Sequence, residues 1–490
     1  MNKHISELAP DRLRHVCNPG DLAFEVTDDL AFESDIIGQD RAVEAMEFGL
    51  DIKSPGFNIF VMGPVGSGRH SILKRIVERK AAGEPAPADW VYVNDFASHG
   101  TPQAIRLPPG RGRQMRTSME RFSNTLAERL QRAFETDRYV EAREELEQNY
   151  RALEREALAS VEVACREHDC ALVRSPSGLY LAPLRNGDLL SPEDISRLDT
   201  EEQARIQQAL DDLDDLLDDT MRHLRDHERR VQADIDRLDR EVADFTIRPL
   251  LEELQVKYAD QEEVQVFLED VREDVLSNVA FFRSEDASGR DLESESLLDV
   301  PVTKRYRVNL LVDNSELEGA PVVTIERPYY PQVFGAVEYD VHYGVSVTDH
   351  TLIRAGALHR ANGGYLIVDA AALLEDYDVW VGLKHALSTQ RIRIESPDGQ
   401  RLVRTVTPDP EPIPLDVKVV LIGSPYVFYT LYELDDDFGK FFKVQADFHT
   451  EVDRTQESEQ AYGRFIRMLC HQENLHSFTA AATARVVEYG

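Results

Sequence analysis

An apolar run, Phe57 to Met62, leads directly into Gly63-Pro64-Val65-Gly66-Ser67-Gly68-Arg69-His70-Ser71. A helical pattern follows, with Ile72, Leu73, Ile76 and Val77 on one face. A strand that ends in a glycine-rich turn and continues as a helix points to α/β architecture, because parallel strands need a crossover to connect them. Glycines let backbone N–H groups curl around an anion, and a helix N-terminus favours negative charge. The segment is therefore read as a phosphate cradle formed by Gly63, Pro64, Gly66, Ser67, Gly68, Arg69, His70 and Ser71. A glycine turn that only caps a helix is the alternative. The pattern departs from the usual loop at two positions. Arg69 stands where a lysine normally reaches the β- and γ-phosphates, and His70 where a Ser or Thr hydroxyl would bind Mg²⁺.

The acidic partner of such a loop belongs at the end of a buried strand. Gly363-Gly364-Tyr365-Leu366-Ile367-Val368-Asp369-Ala370 supplies it, with Asp369 as the candidate Mg²⁺ ligand through water or, alternatively, a helix N-cap. The residue after the aspartate normally orients the attacking water as a glutamate, and here it is Ala370. Glu375 and Asp376 are near in sequence, but a helix starting there would point them elsewhere. A third apolar strand, Val419 to Ile422, ends at Gly423-Ser424, which places Ser424 as a γ-phosphate sensor. Arg454, Lys440 and Lys443 are candidates for contacts across a subunit boundary.

Between these parts the pattern changes. A helix at Gly38 to Met46 precedes the first strand, and Trp90-Val91-Tyr92-Val93 reads as the next strand of the α/β domain. From about 114 to 168 the spacing of Met115, Met119, Phe122, Leu126 and Leu130 predicts one long amphipathic helix. Leu210, Leu217, Leu224, Val231, Leu238 and Phe245 stand seven apart, with Met221, Ile235 and Val242 between them, which predicts a coiled-coil seam interrupted at Asp214 and Glu228. Pro249 predicts a break or kink. Cys170 to Arg174 and Leu179 to Pro183, separated by Ser175-Pro176-Ser177-Gly178, read as a β-hairpin at the tip of an antiparallel arm. Strand-like segments return at Tyr306 to Val312, Tyr365 to Val368 and Val417 to Ile422; 396 to 414 reads as a loop or hairpin and the stretch from about 451 as helices.

Charged residues make up 30% of the chain and the formal charge is -35, which would repel a phosphate backbone or an anionic bilayer, so neither nucleic acid nor membrane is a favoured partner. No stretch approaches the roughly 18 apolar residues of a membrane span, and the N-terminus lacks an apolar signal core, so a cytoplasmic location is expected. Cys17, Cys165, Cys170 and Cys470 suggest no disulfide framework, and Cys165, His168 and Cys170 lack a second ligand pair for a metal.

Taken together, these pieces resemble the AAA+ part of bacterial Lon-like proteases that carry a coiled-coil arm inside the ATPase domain. The most specific stretches are Ile37-Gly38-Gln39-Asp40-Arg41-Ala42, Arg305 to Asn309, Thr348-Asp349-His350 and Gly356 to Leu366. The resemblance implies a P-loop three-layer α/β domain interrupted by a long antiparallel helical insertion with a β-hairpin tip and followed by the start of a helical lid. The corresponding divisions are 1–110, 111–300 with the hairpin near 170–184, 301–450, and 451–490. It implies ATP or ADP as cofactor, with Mg²⁺ at Asp369, and Ile37 and Gly38 beside the adenine. It implies a ring homo-oligomer acting on a polypeptide, with the loop from Val333-Phe334-Gly335 through Tyr343-Gly344-Val345 facing a pore and Tyr343 gripping substrate; packing within a hairpin is the alternative for Tyr343. Lon-type peptide cleavage uses a Ser nucleophile and a Lys base in a separate C-terminal domain; no such pair is assigned here, so this chain is expected to be either the substrate-handling portion of a longer protease or a protease-free relative. The departures at Arg69, His70 and Ala370 lead us to expect nucleotide binding to be better preserved than hydrolysis. A non-hydrolysing scaffold or an independent chaperone are the alternatives.

Overall fold

Ile59, Phe60, Val61 and Met62 are all buried, as the interior of a parallel sheet covered on both faces requires. The computed structural model describes residues 9, 13, 15–31, 37–64, 66–96, 101–175, 178–185, 187–283, 302–342, 345–394, 409–449 and 451–489. In chain order its main elements are α1 (Asp40–Asp51), β1 (Ile59–Met62), α2 (Arg69–Ala82), β2 (Asp89–Val93), β3 (Gln103–Leu107), α3 (Arg111–Phe134) and α4 (Asp137–Glu167). Then come β4 (Cys170–Ser175), β5 (Gly178–Arg185), β6 (Asp188–Leu189), α5 (Thr200–Lys257), α6 (Glu262–Ser277), β7 (Asn309–Val312) and β8 (Val322–Ile325). The rest are α7 (Ala357–Arg360), β9 (Gly364–Asp369), α8 (Ala370–Leu374), α9 (Tyr377–Thr389), β10 (Val417–Gly423), α10 (Pro425–Leu434), β11 (Val444–Asp447), α11 (Gln456–Gln472) and α12 (Ala480–Tyr489). The chain divides into two compact units, Met1–Arg116 with Val308–Gly490, and Thr117–Arg307.

The first unit is built on a five-stranded sheet of order β11-β1-β10-β9-β8, with every neighbouring pair parallel. Alternation along β1 sends Ile59 and Val61 to one face, against Met46 of α1 and Leu73 and Val77 of α2. Phe60 and Met62 go to the other, among Trp380, Leu383, Phe428 and Phe438. Phe60 meets Phe428 and Phe438 edge-on at 5.2 and 5.9 Å. α11 and α12 carry Tyr462, Ala484 and Val487, against which Cys17 and Leu22 of the N-terminal segment pack.

Two strands read as members of the α/β sheet belong elsewhere. β2, which contains Trp90 to Val93, pairs antiparallel with β3 and with β7 in a separate three-stranded sheet. Tyr306 is not in β7 at all, but ends a 3₁₀ turn, Val302–Tyr306. Asp89 at the head of β2 is fully buried, and its carboxylate accepts the backbone N–H groups of Gly112 at 2.9 Å and Asn314 at 2.8 Å. Burial pushes its pKa up, while these two hydrogen bonds pull the other way. Asp89 thus holds together the segments flanking the insertion within this unit.

The second unit corrects the periodicity reading in three places. The predicted helix over 114–168 is two helices, because Thr136 is extended and its hydroxyl donates back to the Ala133 carbonyl at 2.8 Å. α5 runs through Pro249 without interruption, with Ile247, Leu251 and Leu254 buried on one side of it. The heptad seam does not persist either. Leu217, Leu224 and the in-between position Ile235 are buried, but burial then moves to Asp239, Ala243 and Ile247, leaving Phe245 80% exposed. A helix near 3.6 residues per turn drifts away from a seven-residue repeat unless its partner holds it in a supercoil.

α4 and α5 are antiparallel, as three successive contacts show: Tyr139 Oη donates to Asp239 at 2.7 Å, Tyr150 and His227 lie 6.2 Å apart, and Val161 and Cys165 pack on Leu213 and Leu217. Arg283 also pairs with the buried Asp239. Between the helices, β4 and β5 form an antiparallel pair from Cys170↔Pro183 to Ser175↔Gly178. Among the described residues no helix is long and apolar enough to cross a membrane.

Replacing Asp89 by alanine leaves two buried amides without an acceptor. Urea denaturation of Asp89→Ala is expected to show a loss of about 3 kcal/mol.

Candidate functional site

In a parallel sheet a ligand-binding crevice forms at the carboxyl ends of the strands, beside the strand where the connection order reverses. Here that strand is β1, flanked by β11 and β10. The register aligns Met62 with Gly423 and Asp369 with Ile422, so the ends of β1, β10 and β9 meet at one edge. Gly63, Asp369 and Ser424 are brought together there.

The loop leaves β1 at Gly63 and enters α2 at Arg69. Gly66 and Gly68 have φ of +91° and +77°, conformations that a side chain would strain. Ser67 Oγ donates to the Pro64 carbonyl at 2.9 Å and tightens the turn. No side chain caps α2, so its first-turn amides are available to an anion. Val65 lies outside the described residues.

Arg69 does not reach outward. It is 8% exposed, and its Nη1 donates to the Gly63 carbonyl and, at 2.7 Å, to that of Gly423. The guanidinium thereby ties the loop to β10 from behind. Burial disfavours its charge, partly offset by the Asp369 carboxylate. The expectation that Arg69 stands in for a phosphate-binding lysine is thus met by an arginine already engaged with backbone oxygens. His70 and Ser71 are exposed on the first turn. Partial desolvation of the ring and the Arg69 charge lower the His70 pKa against the opposing pull of Asp369, which favours a neutral imidazole that offers nitrogen rather than the oxygen that Mg²⁺ prefers.

The remaining polar candidates are helix caps. Asp369 Oδ1 accepts the amides of Ala371 at 2.9 Å and Ala372 at 3.0 Å, which leaves Oδ2 as the oxygen that could face a cation. Ser424 Oγ accepts from Val427 N at 3.3 Å. Asp376 caps α9 through Asp378 N at 3.1 Å. Ala370 is completely buried, in the same apolar cluster as Leu421 and Phe428. A Cβ on Gly423 would come within 3.3 Å of the Ala370 methyl group and 2.7 Å of Phe60. The position after Asp369 is therefore closed as well as non-acidic.

Ile37 and Gly38 lie just before α1. They line a groove of about 710 Å³ with Val452, Thr455, Ser458 and Arg464. Gln39 connects the two halves: its amide donates to the His449 carbonyl at 3.1 Å and accepts from His449 N at 2.9 Å. Phe448 N in turn donates to Met62 O at 2.8 Å. Gln39 belongs to the distinctive stretch Ile37 to Ala42, but nothing in that stretch points to His449, 410 residues further on, so this link was not foreseen.

The cations proposed for an intersubunit role are engaged within the chain. Arg454 Nε meets Glu459 at 2.7 Å, Lys440 meets Asp437 at 2.6 Å, and Lys443 lies over the Phe57 ring at 4.8 Å. Val333 and Phe334, expected in a pore-facing loop, are 2% and 3% exposed core residues, while Tyr343 and Gly344 lie outside the described residues.

A strand–loop–helix unit on a parallel sheet of this order, with an acidic strand end beside the loop, is consistent with an AAA-type domain. The family model described as "LonB-like, AAA domain" matches residues 318–449, which include β8 to β11 with Asp369 and Ser424, and "Lon-like LonC helical domain" matches residues 89–122. A Lon protease homolog of Haemophilus influenzae is 28% identical over 121 residues, 24% of this chain and 20% of that protein. The chain thus spans only about a fifth of the relative it matches. Over these segments the chain is similar to Lon-related proteins.

His359, in the segment that precedes β9, is 1% exposed and uses Nδ1 to accept Gly356 N at 3.2 Å. Burial drives its pKa down to about 3. The unfolded chain therefore binds a proton near pH 6.5 that the folded chain refuses, and stability is lost as pH falls from about 6.5 towards 3. His359→Asn keeps an acceptor for Gly356 and should flatten that slope, by up to about 4 kcal/mol in denaturant titrations across this window.

Proposed function

We propose that this chain is the AAA+ substrate-handling portion of a Lon-type serine endopeptidase system, one that binds ATP or ADP without efficient hydrolysis. The carrying observation is the buried methyl group of Ala370, which occupies the place where a water-orienting carboxylate would have to stand. Phosphoryl transfer depends on positioning and charge stabilisation, so losing the group that orients the water removes a large part of the rate. The phosphate-binding parts are less affected: the glycine loop and the uncapped start of α2 still present backbone amides. Asp369 would hold Mg²⁺ through one oxygen, with phosphate and water completing its shell. The adenine would lie against Ile37 and Gly38, in the groove shared with α11. In this reading the chain acts within a ring of copies on polypeptides, and peptide cleavage requires a Ser/Lys site that is not assigned to any residue here.

A second reading, a scaffold that binds no nucleotide, is favoured by one feature. Arg69 already satisfies the Gly63 and Gly423 carbonyls, so the loop is held closed by the protein itself.

Calorimetric titration with ATP and ADP, run beside a phosphate-release assay, separates the two. Binding without release is expected; no heat with either nucleotide would favour the scaffold, and rapid release would sink both. Ala370→Glu is expected to leave phosphate release at background and to lower stability by about 3 kcal/mol or more, because it buries a carboxylate in an apolar cluster. A gain of turnover in that variant would show that the position is open after all.

A further inference from the structure

The end of the α4/α5 helix pair carries features that the nucleotide site does not use. β5 pairs with β4 from Gly178 to Pro183, but β6 covers its other edge only at Leu184 and Arg185. Leu184 N donates to Asp169 O, and the Pro183 carbonyl accepts Leu190 N on the opposite side. In an antiparallel ladder successive residues alternate between the two edges. Leu179 and Leu181 therefore share the direction of Pro183 and present N–H and C=O groups on the edge that β6 leaves uncovered. Among the described residues no strand pairs with that edge.

At the Pro183 end of this strand is a cavity of about 450 Å³, lined by Pro183, Leu184, Leu190 and Ile206 among others. Two large apolar side chains of the same sheet stay in solvent, Tyr180 at 48% and Leu189 at 55% exposure. The cavity rim is acidic. Arg185 is matched by Glu202 at 3.8 Å, and Glu167, Asp169 and Asp212 outnumber the remaining Arg205. Exposed aspartates of the run 210–219 extend the same sign along α5.

We propose that this edge and cavity form a docking site for an extended polypeptide segment that alternates apolar with Lys or Arg residues. The segment adds to β5 by main-chain hydrogen bonds at Leu179 and Leu181, places apolar side chains in the cavity and sets its cations against Glu167, Asp169 and Asp212. Strand addition supplies affinity that is independent of sequence, and the rim supplies selectivity by charge. Such segments are exposed in unfolded chains and hidden in folded ones.

The test is fluorescence anisotropy of the full chain with two labelled, unstructured peptides, one alternating valine with lysine and the other valine with glutamate. The lysine peptide should bind, and the glutamate peptide should bind at least about tenfold more weakly. Leu181→Pro removes an outward N–H while leaving the bonds to β4, and should weaken binding about tenfold. Because a proline in a strand can disturb folding, the exposed pair Glu167→Lys with Asp212→Lys provides a second arm. That variant should retain the helical circular dichroism of the parent and reverse the peptide preference. No binding of the lysine peptide, or equal binding of both peptides by parent and charge-reversed chain, would overturn the proposal. So would concentration-dependent self-association that the charge reversal abolishes without any peptide binding, since the occupant would then be a second copy of this chain.

Discussion

β1 has four residues, and both of its edges are hydrogen-bonded to parallel neighbours. A strand in that position has no solvent-facing side, so every residue must be apolar and both layers of helices must be present to cover it. The same ladders determine where the functional groups end up. Because β1, β10 and β9 stop in register, the turn after Met62, the carbonyl of Gly423 and the carboxylate of Asp369 meet without any long side chain having to reach across. Arg69 then closes the arrangement from below, joining the first residue of the loop to the end of β10.

That economy changes the chemistry of the edge. Helices start immediately after β9 and β10, and their first amides need acceptors. Asp369 and Ser424 provide them, as Asp376 does for α9. A capping carboxylate still has a second oxygen, so Asp369 keeps a path to a cation, whereas Ala370 has none. Its methyl group is enclosed between Gly423 and the apolar cluster, and no rotation of a neighbour would turn it into a hydrogen-bonding position. In the function proposed above, binding and hydrolysis would be separable at this edge, since backbone amides would serve the first and a specific side chain the second.

The helical insertion teaches a different point. Leu210, Leu217 and Leu224 stand seven apart, and the burial of Leu217 and Leu224 follows that spacing. Beyond Leu224 the partner surface changes: the buried Asp239 must face Tyr139 and Arg283, and α6 adds contacts that α4 alone does not make. Helical drift then takes Phe245 into solvent. The identity of the residues was compatible with a longer seam, and only the arrangement of neighbouring helices could shift it. Pro249 likewise fails to end α5, because burial of Ile247, Leu251 and Leu254 outweighs the lost hydrogen bond.

The local parts of the site were legible from residues alone. An apolar strand, glycines at positive φ and an uncapped helix start are adjacent in the chain, and their geometry follows from backbone sterics. The acidic strand end at Asp369 was legible for the same reason, and so was the Lon-like character of the segment around Gly356, which lies within the matched residues 318–449. Strand order was not, since β2 and β7 are as apolar as the core strands yet form their own antiparallel sheet. Nor could the residues tell that Arg69 turns inward, that Gln39 clasps His449, or that Ala370 is sealed. Those outcomes depend on which polar groups are left without partners once distant segments pack, and that is decided by the tertiary structure because an unpaired buried polar group costs more than any local preference returns.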